Sequence, residues 1–508
     1  MNFNLAWPFH EQTCEAPDRV ALHVSGSCYS YGQLAGWASR LGFSLQGVNR
    51  VGVLATRSLG AYVGVLGACW SGAAYVPLSP KLPEERLAQI LSLVALDALV
   101  VDEVGLSRLT RKLRAMAPAT VLDLSRGLDL LPNRRLPAPV CRAPEDLAYI
   151  LFTSGTTGIS KGVMIVAGSV AHFLSAMQPR WSPVPSDRVS LTSELSFDVS
   201  VFEMFGTWGS GASAHAVPQN QLMAPARFIM DQGLTVWSSV PSIAAFMRRM
   251  KMLKPNAFPT LRYSVFAGEP LPHALAEEWQ TAAPLSIVEN LYGPTEATVY
   301  CLGATLGPDF PPTPGRDTVP SGFPLIGLEA AILDRSLRFL PCGSEGQLAI
   351  SGPQVAKGYY NEPDLTAQRF PVIDGKKWYL TGDLSYQDES GIFHHLGRMD
   401  HQVKILGQRV ELEEIESHMR TLSGCQNVAA IAWPITDGLS SGIVGFTSGL
   451  DNPVEELRDA LRRRLPAYMV PRRIIELDAF PLGPTGKIDR RILAHYLDQQ
   501  IVHQEESS

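Results

Sequence analysis

The residues best suited to chemistry cluster first in Leu151-Phe-Thr-Ser-Gly-Thr-Thr-Gly-Ile-Ser-Lys-Gly-Val-Met164. An apolar run, Leu147 to Phe152, predicts a buried strand that empties into a loop of Gly, Ser and Thr carrying Lys161. Small residues let backbone N–H groups close around phosphate oxygens, hydroxyls add donors, and the lysine adds positive charge. The common P-loop spacing is excluded, because Gly162 and Val163, not Ser or Thr, follow the lysine. Four further segments follow in order: Asn290-Leu-Tyr-Gly-Pro-Thr-Glu-Ala-Thr298, Tyr379-Leu-Thr-Gly-Asp-Leu384, Gly397-Arg-Met-Asp-His-Gln-Val-Lys-Ile-Leu-Gly407 and Pro484-Thr-Gly-Lys-Ile-Asp-Arg490. They add aromatic, hydroxyl, carboxylate and cationic side chains beside glycine turns.

Together, from Tyr29-Ser-Tyr-Gly-Gln-Leu34 to Lys487, these motifs resemble the adenylate-forming superfamily of acyl-CoA synthetases, luciferases and the adenylation domains of nonribosomal peptide synthetases. The resemblance implies joining of a carboxylic acid to ATP, release of pyrophosphate, and passage of the acyl group to a thiol. It assigns Thr153, Ser154, Gly155, Thr156, Thr157, Gly158 and Lys161 to the β- and γ-phosphates. It assigns Asn290 to the adenine amino group, Tyr292 to stacking on the ring, with Gly293 between them and Thr295, the residue for the α-phosphate. Glu296 is the expected ligand of Mg²⁺, Asp383 of both ribose hydroxyls, and Arg398 the support of ribose and phosphates. Lys487 is expected to contact the carboxylate and α-phosphate during adenylation. Thr153, Lys161, Glu296 and Lys487 make up the expected catalytic set. Asp400 is the expected hinge, and Lys404 and Gly407 are expected to face the thiol donor. Ser160 replaces a commoner proline and Ala167 a frequent histidine; neither change removes a phosphate ligand. The pair His394-His395 reads as strand residues, since neighbours on a strand point to opposite faces.

Leu195-Ser-Phe-Asp-Val-Ser-Val-Phe-Glu-Met-Phe205 narrows the acid. In the amino-acid-activating branch an aspartate at the place of Asp198 pairs with the α-ammonium; a buried carboxylate without that partner is costly. The resemblance carries over a pocket of Asp198, Val199, Phe202, Ser238, Val265, Ala267, Leu291, Val299 and Tyr300, with Lys487. Its side-chain end is uncharged and its two aromatic residues are bulky, so a small neutral amino acid is expected: alanine first, then serine, glycine or 2-aminobutyrate. A proline-specific ligase and an acyl-CoA ligase on the same fold stay open, because one methylene discriminates by only ~1–3 kcal/mol. The chain shows no carrier-type Gly-Gly-x-Ser motif after Lys487. A free-standing enzyme loading the phosphopantetheine of a separate carrier protein is expected.

Alternating strand and helix patterns must position these groups. Short β-branched strands are predicted at 50–54, 97–102, 188–192, 233–239, 261–266 and 287–291, with helices at 59–70 and 83–93. The expected fold is α/β, mixed α/β and α+β. A large multi-sheet adenylation core spans 1–399, and a small mobile α+β domain spans 400–508. In the latter, helices are predicted at 411–421 and 454–465, strands at 428–433 and 473–477, and a disordered tail at 504–508.

The net charge of −6 leaves no basic footprint for nucleic acid. No apolar window is long enough to span a membrane, and the N-terminus lacks the pattern of a secretory signal. Seven scattered cysteines without a Cys-x-x-Cys pair point to reduced thiols in a cytoplasm.

Overall fold

The computed structural model describes residues 2–155, 160–307, 310–436, 438–450, 453–481 and 488–505. The chain falls into two compact units, one of 1–80, 90–152 and 161–399, the other of 81–89, 153–160 and 400–508.

In the first unit, a nine-stranded sheet runs in the order Phe323–Pro324, Leu302–Thr305, Ile287–Tyr292, Tyr263–Ala267, Val236–Ser239, Arg188–Leu191, Ser213–Ala216, Val20–Val24 and Ser27–Ser30. Its centre is parallel, as expected for strands that read as continuous apolar runs. A seven-stranded sheet contains Leu147–Thr153 beside Lys161–Val166, and Arg50–Leu54 beside Ala74–Leu78 and Ala98–Val101. Helix Leu59–Trp70 is buried over nearly its whole circumference, and Ser58 caps it by accepting from Ala61 N–H at 3.2 Å. Helix Tyr31–Ser44 starts in a capping box: Ser30 Oγ accepts from Gln33 N–H, and Gln33 Oε1 accepts from Ser30 N–H. A third sheet pairs Lys376–Gln387 with Phe393–Arg398, setting Asp383 opposite Arg398.

In the second unit, hairpin strands Gln402–Ile405 and Gln408–Glu411 are joined by Leu406 and Gly407. Both turn residues have positive φ, 51° and 77°, the pattern of a tight type I′ turn that favours glycine. Strands Val428–Ala432, Ile443–Thr447 and Arg473–Glu476 form a sheet covered by helices Leu412–Ser423, Val454–Arg462 and Arg490–Glu505. The last helix reaches Glu505 and so includes the first two residues of the predicted disordered tail, 504–508, whose remaining residues lie outside the described ones; Leu493 and Leu497 bury against Ala429, Ile431 and Phe446 and anchor the helix. Among the described residues, no helix is long and apolar enough to cross a membrane. The seven cysteines form no disulfide.

Candidate active site

Parallel strands bind ligands outside their carboxyl ends, and several candidate residues lie there. Strand register aligns Ser238 with Val265, Val265 with Glu289, and Ala267 with Leu291. Side chains alternate along a strand, so Ser238, Val265, Ala267 and Leu291 share one face. Asn290 is on the other. Both of its amide hydrogens are used, on Val319 O at 3.1 Å and Pro320 O at 2.9 Å. The side-chain oxygen is therefore the atom left to accept from a purine amino group.

The part of the candidate site expected to meet the amino acid is built from aromatic rings. Phe202 and Tyr300 are buried with centroids 5.8 Å apart, and Phe173 stands 6.2 Å from the first and 5.9 Å from the second. Trp181 meets Phe202 at 5.3 Å. All four contacts are edge-on, a favoured aromatic geometry. Burial pushes the Tyr300 phenol well above its ordinary range. Its hydroxyl lies against Ser238 without completing a hydrogen bond of standard geometry. Val199 is half-buried, and Val299 is buried beside Tyr300.

Asp198 precedes the short helix Val199–Val201, and its carboxylate accepts from Thr295 Oγ1 at 2.5 Å. A carboxylate expected to meet an ammonium thus adjoins a hydroxyl expected to meet a phosphate. The segment that carries Thr295 is held by close packing. A Cβ on Gly293 would fall 2.1 Å from Val299 O, so only glycine lets the two backbones approach. Thr298 has φ 76°, a costly conformation for a β-branched residue. Fully buried Gln354 braces it: Gln354 O accepts from Thr298 Oγ1 at 2.6 Å, and Gln354 Nε2 donates to Tyr300 O at 2.7 Å.

Glu296 is fully buried and accepts from Tyr359 OH at 2.8 Å. Tyr359 pairs with Val163 in the strand that Lys161 opens, so one tyrosine links the strand of the lysine to the carboxylate. Among the described residues there is no cluster of three or more His, Cys, Asp or Glu side chains suited to a metal. Magnesium takes one or two carboxylates and completes its shell with water and substrate phosphates, so a single protein carboxylate fits it.

Asp383 is the centre of the opposite end. Its Oδ2 accepts from Tyr292 OH, and its Oδ1 accepts from Arg398 Nη1 at 3.0 Å, with His395 Nε2 at 3.4 Å. Burial alone would raise this carboxyl. The His395 hydrogen bond, the Arg398 and His395 charges and the Tyr292 hydroxyl outweigh it and hold the group well below the usual carboxylate range. Sequence reasoning set His395 aside with its neighbour. His394 does turn elsewhere, to Asp388 and Thr313, but His395 reaches Asp383 and lies 6.3 Å from the Tyr292 ring. The strand alternation used to separate the two histidines was the signal that could have found it.

In the second unit, the Thr153 hydroxyl is buried without a hydrogen-bond partner, and Ser154 Oγ donates to Arg409 O at 3.0 Å. Gly155 is buried. Lys404 is half-buried on its hairpin strand, Gly407 forms the turn, and Asp400 Oδ1 accepts from Gln402 N–H at 3.2 Å. Thr156, Thr157, Gly158 and Lys487 lie outside the described residues.

The family model for AMP-binding enzymes matches residues 9–360. Tyrocidine synthase 1 of Brevibacillus parabrevis is 34% identical over 496 residues, 96% of this chain and 44% of that protein. The AMB antimetabolite synthetase AmbB of Pseudomonas aeruginosa is 34% identical over 492 residues, 96% of this chain and 38% of that protein. The chain therefore spans less than half the length of these relatives. The solved structure of the Vibrio cholerae adenylation domain AlmE, in complex with glycyl-adenosine-5'-phosphate, matches with a TM-score of 0.87 and 31% identity, covering 98% of both chains.

Proposed function

The chain belongs to the AMP-binding enzymes, as an AMP-forming adenylation enzyme of the nonribosomal peptide synthetase type, and from that premise we propose that it activates a small neutral α-amino acid, alanine first, and passes it to the phosphopantetheine thiol of a separate carrier protein. The amino acid carboxylate attacks the α-phosphorus of ATP, a C–O–P bond forms, and the bond to pyrophosphate breaks. The thiol then attacks the acyl carbonyl, and AMP leaves.

One observation carries the reading: Asp198 contacts Thr295 next to a floor of Phe202 and Tyr300. It supports an anion for the substrate ammonium, a hydroxyl near the reacting phosphate, and little room beyond the β-carbon. The glycyl adenylate of the similar AlmE structure supports the small end of the substrate range.

Around this core, Asn290 Oδ1 would accept from the adenine amino group and Asp383 from the ribose hydroxyls. Lys161 and the hydroxyls of the 153–158 loop would meet the outer phosphates. Lys487 would neutralise the meeting of carboxylate and α-phosphate. Glu296 would hold Mg²⁺, which when bound supplies positive charge against the phosphates. We place the hinge between half-reactions at Asp400, where the longest segment of the second unit begins, and the thiol-facing residues at Lys404 and Gly407.

The test is ATP–pyrophosphate exchange across the amino acids and their deamino analogues. Exchange strongest with alanine, glycine or serine is expected. Exchange with propionate equal to that with alanine would overturn the reading of Asp198.

A further inference from the structure

Glu203 directly follows Phe202 in a π-helical turn, Phe202–Gly206, and is sealed from solvent. Such turns often occur at functional sites. Its Oε2 accepts from the backbone N–H of Thr192 at 3.2 Å and of Ser193 at 3.0 Å. Its Oε1 lies 2.9 Å from Thr192 Oγ1 and 3.3 Å from Ser193 Oγ. The same Thr192 hydroxyl is 2.8 Å from the carbonyl oxygen of Ser238, a residue of the candidate amino acid pocket.

A hydroxyl has one hydrogen to donate. If Glu203 is ionised, Thr192 Oγ1 faces two acceptors and can serve only one. If Oε1 carries a proton, that proton goes to Thr192 Oγ1, the Thr192 hydrogen goes to Ser238 O, and each contact has its donor. Oε2 still accepts both backbone N–H groups. We infer that Glu203 is a positioning residue, neutral in the substrate-ready pocket, whose proton fixes Ser238 through Thr192. The inference rests on the proposed amino acid activation and deepens it, since it makes the fit of the amino acid depend on a proton outside the pocket lining.

The surroundings agree. Burial pushes the Glu203 carboxyl up to about 7, against hydrogen bonds from Ser193 and Thr192 and the charge of Arg57, which lower it. Arg57 donates to Leu191 O and Thr192 O at 3.1 and 3.2 Å and lies 4.0 Å from Glu194. The other titratable groups that face this region are the buried phenols of Tyr62 and Tyr300, and Asp198 beyond Tyr300.

The experiment compares the parent with Glu203→Gln, whose amide keeps an acceptor for the backbone and a donor for Thr192. Pyrophosphate exchange is measured against alanine concentration at saturating ATP from pH 6 to 8. In the parent, the KM for alanine should rise about 3- to 10-fold around pH 7 relative to the Gln variant, the loss of one hydrogen bond. The variant should stay near the low-pH parent value. KM curves that rise together, or a variant KM at pH 8 no lower than the parent's, would overturn the inference.

A second readout needs no substrate. The folded-state pKa of about 7 lies above that of an unfolded glutamate, so the contribution of Glu203 to stability is present at low pH and lost as pH rises toward 7. The melting temperature of the Gln variant should therefore gain on the parent from pH 5 to 8. A constant difference would overturn the inference. If the parent exchanges pyrophosphate with no amino acid, the proposed function fails, and the melting comparison still decides the state of Glu203.

Discussion

Asp383 belongs to the end of the candidate site proposed to meet the nucleotide, and Glu203 lies behind the end proposed to meet the amino acid; they are 7% and 1% exposed. Burial penalises an ionised carboxylate at both places. At Asp383 a guanidinium, an imidazole and a phenol converge on the two oxygens, and the charge is kept. At Glu203 the four hydrogen-bonding neighbours are uncharged amides and hydroxyls, Arg57 acts from a distance, and the carboxyl is raised. Burial therefore does not decide what a carboxyl becomes; the charge of its neighbours does. One end of the site is fitted with a fixed acceptor, the other with a group that can take up a proton.

The sharpest way to break this contrast is Asp383→Asn. The permanent negative charge and one of its two acceptor oxygens would be lost, and kcat/KM for ATP should fall about 10²- to 10³-fold, as for two charge-assisted hydrogen bonds. Exchange kinetics at saturating amino acid measure it, and a loss below tenfold would remove Asp383 from the nucleotide side. Asp198→Asn should act at the other end. The amino acid KM should rise about 10- to 10²-fold with the ATP KM unchanged, and equal changes in both would contradict the assignment.

A smaller effect is expected from Phe202→Ala or Tyr300→Ala. Opened volume should move preference from alanine toward leucine by about 0.8 kcal/mol per added methylene, severalfold each, with some loss of alanine activity to the cavity. The ratio of catalytic efficiencies for the two amino acids decides it. The smallest signal is thermodynamic. The Asp383 pKa is depressed on folding, so its stabilisation is full above about pH 5 and is lost as pH falls. Between pH 5 and 3.5 the parent should lose about 0.7 kcal/mol more than Asp383→Asn, read from urea unfolding. Parallel losses would mean that the charge is not held by its neighbours.

Much of the framework was legible in the sequence, because parallel strands sealed on both faces read as apolar runs. Arg50–Leu54 and Arg473–Glu476 fall within a residue of where the pattern put them. Helix Tyr31–Ser44 was not predicted, and the structure shows that Ser30 and Gln33 form the capping pair that starts it. The C-terminal helix was missed because composition says little about Leu493 and Leu497 finding a sheet to cover. Within the site, residue types suggested chemistry but not contacts. Thr295 meets Asp198 across nearly a hundred residues, and the Glu203 network joins three segments. Such pairings follow from sheet register and loop path, which local patterning does not encode.

The rings of Phe173, Phe202 and Tyr300 touch one another, and Trp181 touches Phe202, so none occupies its place independently. Truncating one withdraws support from the others, and effects of changes among touching residues do not add. A lineage drifting toward a bulkier substrate would thus meet a rugged path, with single replacements less fit than either endpoint. Paired replacements at Phe202 and Tyr300 offer the shorter crossing, and ancestors of altered preference should differ at both positions together.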